Sequence, residues 1–139
     1  MQEVKHVIDV LEKAKKSALK EEVVELKELS NQTIHSATVY QDEDSILVAV
    51  FIYALSKIIE KGRGYYKDNY NNYLNYYLET IDNLIIFLKK QDYENFRKEI
   101  KEMVDSNEIK GDIKQHIKDL FRKAQINKAG KIYEHGLSM

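Results

Sequence analysis

The sequence predicts an all-α protein, a bundle of six to seven helices around one buried helix at about 43–61. Three observations carry that prediction. The 139 residues contain no proline and only five glycines, so little interrupts a helical backbone. Apolar residues recur at spacings of three and four along almost the whole chain, with no strand-like alternation. Residues 46–55 are apolar without a break, in a chain where 32% of residues are charged. A helix apolar all round must be covered on nearly all sides, so the other helices are expected to pack around this one.

In order, Val4, Val7, Ile8, Leu11 and Ala14 predict a first amphipathic helix over about 2–16. Leu19, Val23, Leu26, Ser30, Thr33 and Ala37 form the stripe of a second, reaching Tyr40, with Glu21, Glu22, Glu25 and Glu28 on its solvated side. The boundary near Ser17 stays open, because serine serves as a cap or inside a helix. Asp42, Glu43 and Asp44 interrupt the apolar pattern and suit the N-terminus of the central helix, where acids favour the helix dipole. Lys57, Lys61 and Gly62 close it, and Gly62-Arg63-Gly64 reads as the clearest hinge in the chain.

A long fourth helix is expected over about 66–90. Its stripe of Tyr66, Tyr70, Tyr73, Tyr77, Ile81, Leu84 and Leu88 changes midway from aromatic to aliphatic. Asp92 is placed to cap a fifth helix carrying Tyr93, Phe96, Ile100, Met103 and Val104. Ile113, Ile117, Leu120, Phe121 and Ala124 define a sixth, and Ala129, Ile132 and Tyr133 a short last one before Gly136. No repeat of 20–50 residues and no low-complexity tail is present.

One domain spanning 1–139 accounts for this length. The absence of cysteine excludes disulfides and thiolate metal sites and fits a reducing compartment. The apolar run at 46–55 falls short of the roughly 20 residues a membrane span needs, and the N-terminus lacks a signal peptide's apolar stretch. A soluble cytoplasmic protein with no membrane partner is expected. The net charge of −1 conceals an asymmetry: residues 1–60 carry 7 Lys/Arg against 11 Asp/Glu, and residues 110–139 carry 7 against 3. An acidic body with a basic C-terminal end points to an anionic partner at that end.

Candidate chemistry is sparse. Glu28, His35 and Asp42 are spaced by sevens, as a His/carboxylate site on one helix would be, but the Glu-x-x-His pair of helical-bundle metal sites is missing. No metal and no cofactor is therefore expected, and the acids read as capping residues. Six of the ten tyrosines fall between Tyr65 and Tyr77. The stripe of Tyr66, Tyr70, Tyr73 and Tyr77 suits either a packing face with hydroxyls at its rim or a self-association face. Stacking on nucleobases would need more cations than Arg63 and Lys67 supply.

Lys110, Lys114, Lys118 and Arg122 recur every four residues opposite the apolar stripe of the sixth helix, with Lys128 and Lys131 beyond. Lys114, Lys118, Arg122, Lys128 and Lys131 are candidate phosphate contacts, against the plain alternative of a solvated face. Nucleophile elbows, glycine-rich phosphate loops and His-Glu-x-x-His are all absent. Small helical nucleases of the HEPN class carry an Arg followed a few residues later by His, and Arg63, Arg97 and Arg122 lack that histidine. The chain is read as a non-enzyme.

Ala129-Gly130-Lys131-Ile132-Tyr133-Glu134-His135-Gly136-Leu137-Ser138 resembles the entry to a small prokaryotic helix-turn-helix, with Gly136 ending one helix and Ser138 capping the next. The whole chain resembles uncharacterised archaeal helical proteins that end in such a module, including a Thr33-Ile34-His35…Tyr40-Gln41-Asp42 stretch. The resemblance implies that 128–139 begins a helix-turn-helix whose recognition helix needs roughly 20 further residues. The expected function is a non-enzymatic regulatory or interaction domain of a DNA-binding protein, homodimeric or bound to a protein partner. An RNA- or ribosome-associated helical factor using the same basic end is the first alternative, and a toxin–antitoxin component the second.

Overall fold

The computed structural model describes residues 4–40, 43–104 and Arg122, and among these no strand occurs. Five α-helices follow one another: α1 (Val4–Leu19), α2 (Val23–Tyr40), α3 (Glu43–Tyr66), α4 (Tyr70–Lys89) and α5 (Tyr93–Val104). A 3-10 turn at Lys67–Asn69 leads into α4. The expected sixth and seventh helices lie outside the described residues, apart from Arg122, which is helical.

The central helix is where the apolar run places it. From Ile46 to Ile59 every residue of α3 is buried except Tyr53 and Lys57, which are half-buried. Helices α1, α2, α4 and α5 all pack against it, α2 most extensively. Ser30, fully buried on α2, donates its hydroxyl to the Ala49 carbonyl of α3 at 2.7 Å. Such a bond requires closely approaching backbones, which a small residue permits. Each fully buried Val, Leu, Ile or Phe contributes roughly 1.5–3 kcal/mol. Between its first turn and Ile59, α3 supplies ten side chains to the core: Ile46, Leu47, Val48, Val50, Phe51, Ile52, Ala54, Leu55, Ile58 and Ile59.

Gly62 breaks the helix as expected, with φ 60° and ψ −161° inside the Glu43–Tyr66 span. The helical path resumes through Arg63–Tyr66, so the regular central helix ends near Lys61 and the residues after it form a corner. Asp92 also acts as expected: its carboxylate accepts the Asn95 backbone N–H at 3.3 Å and the Asn95 amide at 2.7 Å, capping α5.

Two boundaries differ from the sequence reading. Helix α1 runs three residues further than expected, with Ser17 half-buried inside it, and ends at Leu19. Leu19 thus belongs to the first helix and is exposed, rather than opening the buried stripe of the second. Glu21, at φ 54°, makes the reversal: the Glu22 N–H donates to the Ser17 carbonyl at 2.9 Å and the Glu21 N–H to that of Ala18 at 3.0 Å. This is the left-handed ending usually given to glycine, here adopted by glutamate. The fourth helix starts at Tyr70 rather than 66, because Lys67 has φ 54°.

The α4–α5 turn repeats that construction bond for bond. Gln91 has φ 60°, its N–H donates to the Leu88 carbonyl at 3.1 Å, and the Asp92 N–H to that of Phe87 at 2.8 Å, each position seventy residues after its counterpart. The correspondence extends over both hairpins. From position 4 to 33, each residue matches the one seventy later as buried, half-buried or exposed, Lys15 against Ile85 being the one difference. Lys20 and Lys90 are the only identical pair in that alignment. The repeat is one of register, two helical hairpins presenting the same faces to α3. Helices α1 and α4 run antiparallel: Tyr70 at the start of α4 reaches Glu21, just past the end of α1.

Candidate functional site

Several helix interfaces carry a polar contact at their edge. Lys15 of α1 meets Asp82 of α4 at 2.7 Å, Asn83 of α4 bonds Glu99 of α5 at 3.1 Å, and Lys27 of α2 pairs with Glu60 of α3. The hydrogen bond from Lys27 holds the Glu60 carboxyl below the usual range, against the opposing effect of burial and with help from Lys57. For Lys57, burial works downward, but the hydrogen bond and attraction of Glu60, with Tyr53 alongside, carry its ammonium above the ordinary value. Exposed pairs of this kind contribute about 0–1 kcal/mol each and mainly set which faces meet.

The most strongly oriented pair among the described residues is Asp44–Arg97. Arg97 Nε and Nη2 donate to Asp44 Oδ1 and Oδ2 at 2.7 and 2.8 Å. The Asp44 side chain is 10% exposed and that of Arg97 is 44%. The fork geometry binds a carboxylate through two parallel bonds, and here it fastens α5 to the first turn of α3. Asp44 is therefore engaged by a second helix as well as sitting where a helix dipole favours an acid. Glu28 and His35 are exposed on α2 and Asp42 lies outside the described residues. Among the described residues no group of three His, Asp or Glu side chains could hold a metal ion.

The tyrosines gather at the Gly62 corner. Tyr66, Tyr70 and Tyr77 are buried inside the protomer and Tyr73 is half-buried. The Tyr66 ring sits edge-on to Tyr65 at 4.8 Å and to Tyr73 at 5.1 Å, and Tyr77 stacks on Phe51 of α3 at 5.2 Å. Of the two readings open for this stripe, the packing face is the one these positions describe. Three of the four rings expected to serve self-association cannot reach another molecule, because the protomer's own packing covers them. The Tyr70 hydroxyl donates to Glu21 at 2.7 Å, and burial first, then this carboxylate, push the phenol up to about 12. Among the described residues the exposed tyrosines are Tyr65 and Tyr76. Cations lie against the rings: Lys61 is 4.5 Å from the Tyr65 centroid and Arg63 is 4.9 Å from that of Tyr70. Such contacts are worth about 0.5–1 kcal/mol at exposed sites, and the one from Arg63 ties the corner to the start of α4.

Of the candidate phosphate contacts, Arg122 is helical and exposed. Lys114, Lys118, Lys128 and Lys131 lie outside the described residues, as does the helix-turn-helix-like stretch at 128–139. No family model, no characterised protein and no solved structure matches the chain. Among the described residues, no helix is long and apolar enough to cross a membrane.

Sequence reasoning missed the Asp44–Arg97 pair and the exposure of Leu19 and Ile86. Nothing in one chain's spacing announces a contact between residues 53 apart. The second had a signal. Leu84-Ile85-Ile86-Phe87-Leu88 is five apolar residues in a row on a helix that buries one side, so one of them must face outward.

Proposed function

We propose that the chain is a non-enzymatic regulatory or interaction domain of a DNA-binding protein. In this reading the bundle associates with a second copy or a protein partner, and the basic C-terminal end contacts phosphates. The supporting observation is Arg122: exposed, helical, and in sequence register with Lys110, Lys114 and Lys118, a cation at every fourth residue. On the sixth helix that the stripe predicts, these four cations would form one ridge. The charge division along the chain and the helix-turn-helix-like sequence at 129–138 point the same way.

Duplex binding at about 20 mM salt, weakening steeply as salt is raised, is the expected behaviour, because counterions released from phosphates drive such association. Replacing Lys114, Lys118 and Arg122 together by Glu should flatten the salt dependence by about 0.9 in logarithmic slope for each phosphate no longer neutralised. No binding at low salt would refute the basic-end reading. Preference for structured RNA over duplex DNA would replace the DNA-binding assignment with an RNA-associated one.

A further inference from the structure

We infer that the seam between α1 and α4 is the surface through which two copies of this chain associate. The inference rests on the self-associating bundle proposed above and gives that association a place. Glu12, Lys15, Lys16 and Leu19 on α1 and Asp82, Ile85 and Ile86 on α4 line an open groove of about 650 Å³. Leu19 is 62% exposed and Ile86 is 47% exposed, while Ile85 beside them is buried. Leu19 and Ile86 are two of the five large apolar side chains left in solvent among the described residues, and they share one groove.

The pattern of charge around the groove selects a second copy over a partner of single sign. The seventy-residue register pairs Glu12 with Asp82, acid with acid. The charged side chains lining the groove are two acids and two cations, Glu12 and Lys16 beside the pair that Lys15 and Asp82 already make within the protomer. A surface carrying acids and cations in balance complements itself, and a two-fold contact needs only that. A strongly basic or acidic partner would be repelled by half of it. With a second copy seated on the seam, Leu19 of each molecule enters the other's groove against Ile86, and Lys16 comes within reach of the other's Glu12, Asp82 being already held by Lys15. Every contact is then made twice.

Sedimentation equilibrium on the full chain tests this with Leu19→Glu, Ile86→Lys and their mixture. The wild type is expected to be a dimer. Either variant alone should be monomeric with unchanged helicity, because both side chains face solvent in the protomer, and should melt like the dissociated wild type at low concentration. Removing one central apolar contact weakens binding about thirtyfold, and two-fold symmetry takes the effect twice, about a thousandfold in all. Mixing the two variants should restore a heterodimer, since one Glu–Lys pair and one native Leu–Ile contact then form. A mixture that stays monomeric overturns the pairing of Leu19 with Ile86. A Leu19→Glu variant that remains dimeric overturns the seam and leaves self-association through another face standing. A monomeric wild type overturns both, the groove then belonging to a different protein.

Discussion

Alanine in place of Gly62 and alanine in place of Gly64 should move stability in opposite directions. Gly62 has φ 60° and ψ −161°, a region open essentially to glycine alone. A Cβ added there meets nothing within 4 Å, so the penalty comes from the backbone and not from crowding. Forcing an L-residue into such a conformation costs about 1–3 kcal/mol. Gly64 also has open space for a Cβ, and its φ lies outside the left-handed range. It sits in the helical stretch after the corner, where alanine restricts the unfolded chain without straining the folded one, a gain of about 0.4–1 kcal/mol. The two variants should therefore differ by about 1.5–4 kcal/mol although the positions are two residues apart. Urea titration followed by circular dichroism reads this as a lower midpoint for Gly62→Ala and a higher one for Gly64→Ala, with an unchanged slope. In melting temperature the separation is roughly 3 °C per kcal/mol for a chain of this size. Equal shifts, or a stabilising Gly62→Ala, would mean that helix α3 continues through the corner and that the tyrosine cluster is placed by something else.

Val50→Asp puts a carboxylate at a position 1% exposed, a cost of several kcal/mol against a total of about 5–15. The variant should lose its cooperative melt, and native circular dichroism would refute the central role of α3. Arg97→Leu removes both guanidinium bonds to a nearly buried Asp44 and should cost about 2 kcal/mol. Asp44→Asn in the same chain should recover part of that, and simple additivity would show the pair to be uncoupled. The Tyr70 phenol is raised from 10.0 to about 12, so its contribution is complete below pH 10 and fades as pH climbs toward 12. Tyr70→Phe should flatten that alkaline decline in denaturation measurements, and an identical alkaline profile in the two proteins would count against it.

Much of the fold was legible because its signals are local. An unbroken apolar run has only one stable place in a helical protein, and Gly62 and Asp92 act on the backbone within a turn of themselves. The helical periodicity of α1, α2, α4 and α5 is equally local. The tyrosine stripe shows where that kind of reading stops: spacing placed Tyr66, Tyr70 and Tyr77 on one face without saying whether the rest of the chain or a second molecule would cover it. Two boundaries also moved, because Glu21 and Lys67 adopt left-handed conformations that no glycine announced.

By itself, then, the sequence determined the helical class, the buried helix at its centre, the corner at Gly62 and the uneven spread of charge. Those follow from composition and from interactions within a few residues. The tertiary structure alone decided that Asp44 is held by Arg97, that Tyr66, Tyr70 and Tyr77 turn inward, and that two hairpins with one identical residue repeat the same register. It alone left Leu19 and Ile86 in solvent beside the α1–α4 seam. Burial depends on what the rest of the chain brings alongside, and residues distant in sequence meet only when the helices pack.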